Sequence, residues 1–286
     1  MIGEDISKEL IYSTVRLVCF NDKVVSKGTS FFMIYEFDNT NITALVTNKH
    51  VVCEDLEKMI IYKNAKFVMS CSENGIVKND KKVEIVVNDL DKRVVFHDDP
   101  NVDLCFIFVN DMIKKNIDMG NEIYYRALNT NLIINEEYAK TLGPIEDVIM
   151  IGYPIGLIDE YNNKPIVRKG ITATSYCLDY SGKKEFLIDI ACYQGSSGSP
   201  IFIRQVGLGK KQNENGVTIG LTIDYALLGI LYAGPYNVVE GEISVSEIPC
   251  KTIPISKTKV MINLGCVIKP CRIMELFEKM INHYNE

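Results

Sequence analysis

Short runs of β-branched and aromatic residues, separated by turns rich in Asn, Asp, Gly and Lys, constrain this chain more than any other feature. Leu10–Phe20, Gly28–Tyr35, Ile42–His50, Val83–Val87 and Asp103–Val109 are such runs, and a second series extends from Val148 to Ile268. Runs this short bury their apolar residues as strands rather than as helices, so the pattern predicts an all-β fold. The rhythm breaks between 111 and 145, where Asn131–Lys140 mixes apolar and charged positions; this is the best linker. After Ile268 the periodicity changes. The apolar positions of Met274–Ile281 recur at helical spacing and predict a closing amphipathic helix over 271–284, packed on the β surface.

With 286 residues and 47% hydrophobic content, the chain can bury one large or two ordinary cores. A net charge of −6 disfavours nucleic acid as a partner, and Lys183-Lys184-Glu185 and Lys210-Lys211 read as ordinary exposed turns. No apolar run approaches the roughly 18–20 residues of a membrane span. Met1-Ile2-Gly3-Glu4-Asp5-Ile6-Ser7 lacks a basic segment followed by an apolar core, which predicts a cytoplasmic protein without a membrane span. Nine cysteines, an odd number without Cys-x-x-Cys spacing, read as reduced thiols rather than disulfides or a zinc site. Cys19, Cys53, Cys105, Cys192 and Cys266 lie in or beside apolar strands and are expected to be buried. No metal or other cofactor is expected.

Chemistry concentrates in Gln194-Gly195-Ser196-Ser197-Gly198-Ser199-Pro200. Glycines on both sides of a serine pair suit a tight turn that exposes a hydroxyl and aims backbone N–H groups, but a serine hydroxyl needs a base. Three histidines exist. His283 follows the helical segment and is expected in solvent. His97 lies in Phe96-His97-Asp98-Asp99-Pro100, a polar turn where exposure is the default. His50 ends an apolar strand, where a rigid element can hold an imidazole in place. A carboxylate must then orient that imidazole. Asp103, which opens the run to Val109, fits better than its neighbours Asp98 and Asp99, which lie on the polar side of Pro100.

The order His50, Asp103, Ser197 resembles that of the chymotrypsin-like serine protease superfamily. Val46–His50 is similar to the family's histidine segment, Val102–Cys105 to its aspartate segment and Gly195–Pro200 to its serine segment. Ile151–Leu157 and Arg168–Ala173 resemble the bacterial HtrA/Deg-type branch, in which the first opens the second barrel and the second lies near the activation loop. The resemblance spans roughly residues 10 to 272. It implies two six-stranded antiparallel β-barrels with a C-terminal helix: an N-terminal barrel over 8–115 carrying His50 and Asp103, a linker over 116–145, a C-terminal barrel over 146–270 carrying Ser197, and a helix over 271–284. The triad would occupy the cleft between the barrels.

It also implies roles. Ser197, chosen over Ser196 and Ser199 by its register with the glycines and Pro200, would be the nucleophile of a serine endopeptidase acting on protein or peptide substrates through an acyl-enzyme. His50 would be general base and then general acid, Asp103 its orienting partner, and the N–H groups of Gly195 and Ser197 the oxyanion hole. The family pattern places Ala191 at the base of the substrate pocket, with Gln194 beside it, Tyr232, Ala233 and Gly234 along its wall, and Gly265 behind. None of these is charged, so an uncharged, small to medium apolar P1 residue is expected. One departure matters: Ser196 stands where zymogen-type relatives carry an aspartate that pairs with a newly cleaved N-terminus, so that switch is not expected. HtrA-like relatives switch by ordering loops, which makes Arg168–Thr174 a regulatory candidate, although too little chain follows the helix for that branch's PDZ domain. The polar loop Arg204–Gly216 and the insertion Tyr236–Lys257 are expected to flank the cleft and to meet a substrate or a regulatory protein partner. A catalytically silent or latent protease-fold binding module and an esterase are the alternative functions.

Overall fold

The computed structural model describes residues 7–22, 24–37, 40–213, 216–242 and 255–284. The first half is a nine-stranded sheet built from β1 (Thr14–Phe20), β2 (Val25–Phe37), β3 (Thr40–Thr47), β4 (Asn64–Glu73), β5 (Ile76–Val87), β6 (Val94–Phe96), β7 (Cys105–Phe108), β8 (Ile123–Tyr124) and β9 (Leu128–Asn129). Its order is β8-β4-β1-β2-β3-β7-β6, with β5 paired to β4 and β9 joining β2 in parallel. Two of these strands, β8 and β9, come from the stretch expected as a linker. That stretch also holds the short helix Glu136–Thr141, capped by the Asn135 side chain on Tyr138 N.

The second half holds β10 (Asp147–Gly152), β11 (Ile166–Thr172), β12 (Glu185–Asp189), β13 (Pro200–Asn213), β14 (Gly216–Ala233), β15 (Tyr236–Glu242), β16 (Ile255–Met261) and β17 (Leu264–Ile268). Six of them close a barrel in the order β10-β11-β12-β17-β14-β13, as expected for this half. The expected six-stranded barrel in the first half is corrected. Among the described residues its sheet does not close by backbone pairing, because β6 has three residues and pairs only with β7, while β5 pairs only with β4. Between β5 and β6 the chain turns through Asp89, in the left-handed region at φ 51°, and a single 3-10 turn at Leu90–Lys92. Side chains fill that gap: Ile85, Val87 and Leu90 pack with Val94, Phe96 and Ile107 in one core.

Two faces of the first sheet are buried, which explains why its strands read as continuous apolar runs rather than alternating ones. On β2 and β3, Phe32 and Leu45 face the sheet's own interior, whereas Phe31, Met33, Ala44 and Val46 face a second core shared with the barrel. Barrel strands contribute Ile151, Phe202, Leu227, Ile230 and Ile268 to that shared core, and turn Val148, Met150, Phe186, Ile188 and Ile201 inward to a third.

The closing helix (Cys271–Tyr284) follows the barrel yet returns to the first sheet. Ile273, Leu276, Phe277 and Met280 form its buried stripe, each contributing about 1.5–3 kcal/mol of burial. Phe277 stacks on Tyr35 at 5.0 Å between centroids and lies 4.4 Å from Phe106. The helix's polar edge grips the segment before Asp103. His97 Nε2 meets Glu275 Oε2 at 3.0 Å, Lys279 Nζ donates to Phe96 O at 3.1 Å and pairs with Asp98, and Arg272 lies 3.8 Å from Asp99. The exposed position expected for His97 is therefore corrected: it is 6% exposed because the helix covers it. The His283 side chain lies outside the described residues.

Two further expectations change. Arg204–Gly216 is not a loop but part of a long hairpin, since β13 and β14 pair from Pro200↔Ile230 to Asn213↔Gly216. Tyr236–Lys257 includes a second ribbon, with β15 paired to β16, and its residues 243–254 lie outside the described residues. The eight described cysteines are free thiols; Cys19, Cys53, Cys105 and Cys192 are buried as expected, whereas Cys266 is half-buried. Burial pushes the Cys53 thiol up to about 11, so it stays protonated at neutral pH. No helix among the described residues is long and apolar enough to cross a membrane.

Candidate active site

Strand β3 ends at Thr47, and Asn48 leads into a single helical turn, Lys49–Val52, anchored by buried Val51 and Val52. His50 points out of that turn, with its side chain 37% exposed. Asp103 holds it at two points. His50 Nδ1 donates to Asp103 Oδ2 at 2.5 Å, and the His50 backbone N–H donates to Oδ1 at 3.1 Å. Asn48 Nδ2 donates to the Asp103 carbonyl at 2.7 Å, which fixes the carboxylate's own backbone. Lys49 is buried beside this pair and donates to Asp99 O at 3.0 Å; burial lowers its pKa against the opposing pull of Asp103. Asp98 and Asp99 are engaged elsewhere, with Lys279 and with Asn101 and Arg272, which separates them from His50.

The serine segment is a turn braced from both halves of the molecule. Gly195 and Gly198 both have φ of 88°. Gly198 N donates to Leu231 O and Leu231 N to Ser199 O, tying the turn to β14. From the first sheet, Thr29 N donates to Ser197 O at 2.8 Å and Thr29 Oγ1 to Gly195 O at 3.0 Å, while Thr47 Oγ1 donates to Thr29 O at 2.8 Å. The chain of bonds from the serine turn thus ends three residues before His50. A third brace is the Tyr153–Gly156 turn, where Ile155 takes a left-handed φ of 57° and its N–H donates to Gln194 O at 2.6 Å.

Within this turn the N–H groups of Gly195 and Ser197 donate to no protein group among the described residues. Free backbone donors of this kind are what an anionic oxygen requires. Ser197 Oγ donates to Tyr232 O at 3.3 Å, and His50 Nε2 has no hydrogen-bond partner among the described residues. Ser196, at 0% exposure, has a hydroxyl with no partner among the described residues. An unpaired buried hydroxyl costs about 1–3 kcal/mol. Ser196→Ala is accordingly expected to leave the unfolding free energy unchanged or raise it by up to about 1 kcal/mol. Chemical denaturation checks this, and a loss above that size would show that the hydroxyl is satisfied.

The structure brings together the residues expected to line the substrate pocket. A Cβ on Gly234 would meet Cys192 Cβ at 3.4 Å and Met261 Cε at 2.7 Å, and one on Gly265 would meet Cys192 Sγ at 2.6 Å. The segment Ala191–Gln194 therefore runs beside Tyr232–Gly234, with Gly265 behind it. Tyr193 and Gln194 are exposed and Ala191, Tyr232 and Ala233 are half-buried. Tyr232 Oη donates to Glu185 Oε2 at 2.8 Å; burial, then Glu185, raises the phenol's pKa. Cys192 is a buried thiol that burial pushes up to about 12.

Two charged residues near this pocket escaped the sequence reading. Glu185 opens β12, where its 8% exposure is not signalled by the Lys183-Lys184 pair before it. Arg168 lies on β11, and its Nη1 donates to Ala191 O. The segment Arg168–Thr172 is part of a barrel strand paired with β10 and, at Ile171 and Thr172, with β12.

Comparison with curated protein sequences gives no match. Among solved structures the chain is similar to the serine endoprotease of Yersinia pestis, at 16% identity and a TM-score of 0.46 over 99% of this chain and 68% of that one. It is also similar to the thermostable serine protease AL20 from an extremophilic microorganism, at 12% identity and a TM-score of 0.47 over 93% and 95% of the two chains. A third is the tobacco etch virus protease complexed with product, at 12% identity and a TM-score of 0.45 over 82% of this chain and 72% of that one. The family described as the trypsin-like peptidase domain matches residues 28–207, more than half of the chain and the span that holds His50, Asp103 and the Ser197 turn, and the chain belongs to that family.

Proposed function

We propose that this trypsin-like peptidase is a serine endopeptidase in which Ser197, His50 and Asp103 form the triad. The observation that carries the reading is the two-point grip of Asp103 on His50, which leaves Nε2 as the basic nitrogen. In the reaction, Ser197 Oγ attacks the scissile carbonyl as His50 Nε2 takes its proton. The carbonyl oxygen becomes an oxyanion held by the N–H groups of Gly195 and Ser197. His50 then gives the proton to the leaving amine, which departs and leaves an acyl-enzyme on Ser197. Water attacks the ester with His50 again as base, releasing the acid and restoring the serine. Each oxyanion donor in such a site is worth about 2.7–4 kcal/mol.

The same reading keeps the division into an N-terminal unit over 8–115, a linker over 116–145 and a serine-bearing unit over 146–270, with the long β13–β14 hairpin as the element that meets protein substrates or a regulatory partner. An uncharged P1 residue, the expectation drawn from Ala191, Ala233 and Gly234, takes no account of Arg168. A second reading, the latent or silent protease-fold module, is favoured by one observation: Ser197 Oγ bonds to Tyr232 O.

A fluorophosphonate probe decides between them, because it reacts only with a serine whose base can take its proton. Labelling of the wild type, absent in Ser197→Ala, is the expected result. A wild type that stays unlabelled, and cleaves no unfolded protein substrate, would replace the peptidase reading with the binding module.

A further inference from the structure

The P1 pocket inferred from the family pattern was lined by neutral side chains, but the fold delivers a cation to its base. Strand β11 places Arg168 and Gly170 on one face and Lys169 on the other. Lys169 turns outward and pairs with Asp147 at 2.7 Å. The face carrying Arg168 and Gly170 is pressed against the segment that leads into the pocket, since a Cβ on Gly170 would lie 2.1 Å from Asp189 O and 2.2 Å from Ile190 Cγ1. Two residues along, Arg168 reaches the next part of that segment. Its Nη1 donates to Ala191 O, and its guanidinium carbon lies 5.3 Å from the centre of the Tyr193 ring. The half-buried guanidinium thus touches both ends of Ala191–Tyr193, the stretch that forms the pocket's base and one wall.

Among the described residues nothing balances the charge on this group. No carboxylate among the described residues, Asp189 and Glu185 included, lies within salt-bridge distance of Arg168, and Glu185 is engaged by Tyr232 Oη at 2.8 Å. A guanidinium has five N–H donors, of which the Ala191 carbonyl uses one. The remaining pocket residues, Cys192, Ala233 and Gly234, bring no charge. A half-buried cation with spare donors in a fixed fork, set against neutral side chains, is complementary to a carboxylate and poorly matched to an apolar side chain.

We propose that Arg168 is the specificity-determining residue at the base of the P1 pocket and selects an acidic residue, Glu or Asp, on the amino side of the cleaved bond. This rests on the reading that Ser197 is the nucleophile and that Ala191–Gln194 and Tyr232–Gly234 flank P1. The guanidinium takes the P1 carboxylate through its free N–H groups while Ala191 O holds the group in place.

The test is a set of peptides identical except for Glu, Gln, Ala or Lys at P1, run beside fluorophosphonate labelling of the wild type. Glu and Gln differ only in charge and one donor, so their ratio isolates the guanidinium. The expected kcat/KM for Glu exceeds that for Gln by about 100-fold, the size associated with a desolvated charge pair, and Lys is the poorest of the four. In Arg168→Ala the Glu-to-Gln ratio falls to within about threefold of unity, whatever the absolute rate. A labelled wild type that cleaves Gln or Ala peptides as well as Glu peptides overturns the Arg168 assignment and leaves the triad standing. A wild type that neither labels nor cleaves overturns both.

Discussion

Asp103→Asn lowers kcat by about 10⁴-fold while leaving KM within a few-fold. The carboxylate accepts two N–H groups from one residue, Nδ1 at 2.5 Å and the backbone amide of His50 at 3.1 Å. An asparagine can accept only one of them through its carbonyl oxygen. If that oxygen takes the backbone N–H, the NH₂ group faces Nδ1 and forces it to be the acceptor; the proton then sits on Nε2, which can no longer accept from Ser197. If the oxygen faces Nδ1 instead, the NH₂ opposes the His50 amide, donor against donor, in a part-buried site. The first arrangement avoids that clash and gives the unreactive tautomer. Neighbouring carboxylates offer no rescue, because Asp98 is held by Lys279 and Asp99 by Asn101. Steady-state kinetics on a peptide substrate checks the loss, with circular dichroism confirming the fold. A fall of less than tenfold would mean that His50 is oriented by something other than Asp103.

What the sequence revealed of this site depended on how local the signal was. His50 was legible because an apolar strand stops just before it, and Asp103 because one starts just after it. Both then lie at the ends of paired strands, β3 and β7, whose registry Thr47↔Cys105 brings the two ends together. The serine turn was legible from its glycines. His97 was misread because its surroundings, Asp98-Asp99-Pro100, are polar for the length of the turn, while the residue that buries it, Glu275, is supplied by a helix 178 positions later. The β13–β14 hairpin was misread as a loop for a different reason. Its first arm, Gly207-Leu208-Gly209-Lys210-Lys211-Gln212-Asn213, has the composition of a turn, and the pairing that makes it a strand, from Arg204↔Tyr225 to Asn213↔Gly216, is made by the backbone and leaves little trace in composition. Closure of the first sheet failed on lengths of two or three residues, below what periodicity resolves. Arg168 was invisible as a pocket residue because its partner, Ala191, is 23 positions away, and strand pairing in the barrel alone sets their contact.

Gly198→Ala is expected to destabilise the protein by about 3 kcal/mol or more, and to lower activity by about 100-fold where the fold survives. Two costs combine. At φ 88° a side chain occupies a backbone region that L-residues rarely adopt, costing on the order of 1–2 kcal/mol. In addition, the new Cβ would lie 1.9 Å from Thr29 O and 2.7 Å from Thr47 Oγ1, so a backbone atom rather than a flexible side chain must move. Thr29 cannot retreat without loss, since its N–H holds Ser197 O, its Oγ1 holds Gly195 O and its carbonyl accepts Thr47 Oγ1. Pushing it back pulls the serine turn and the His50 strand apart, and a displacement of about 1 Å between nucleophile and base costs roughly 100-fold in rate. Gly75 supplies the control: it has a φ of 76° at the β4–β5 hairpin but nothing within 4 Å of an added Cβ. Gly75→Ala therefore carries only the conformational cost, about 1 kcal/mol, and keeps the catalytic geometry. Denaturant unfolding of the two variants separates the terms. Equal losses in both would show that the Gly198 contact with Thr29 relaxes freely, and that the two halves of the site are not locked together through this glycine.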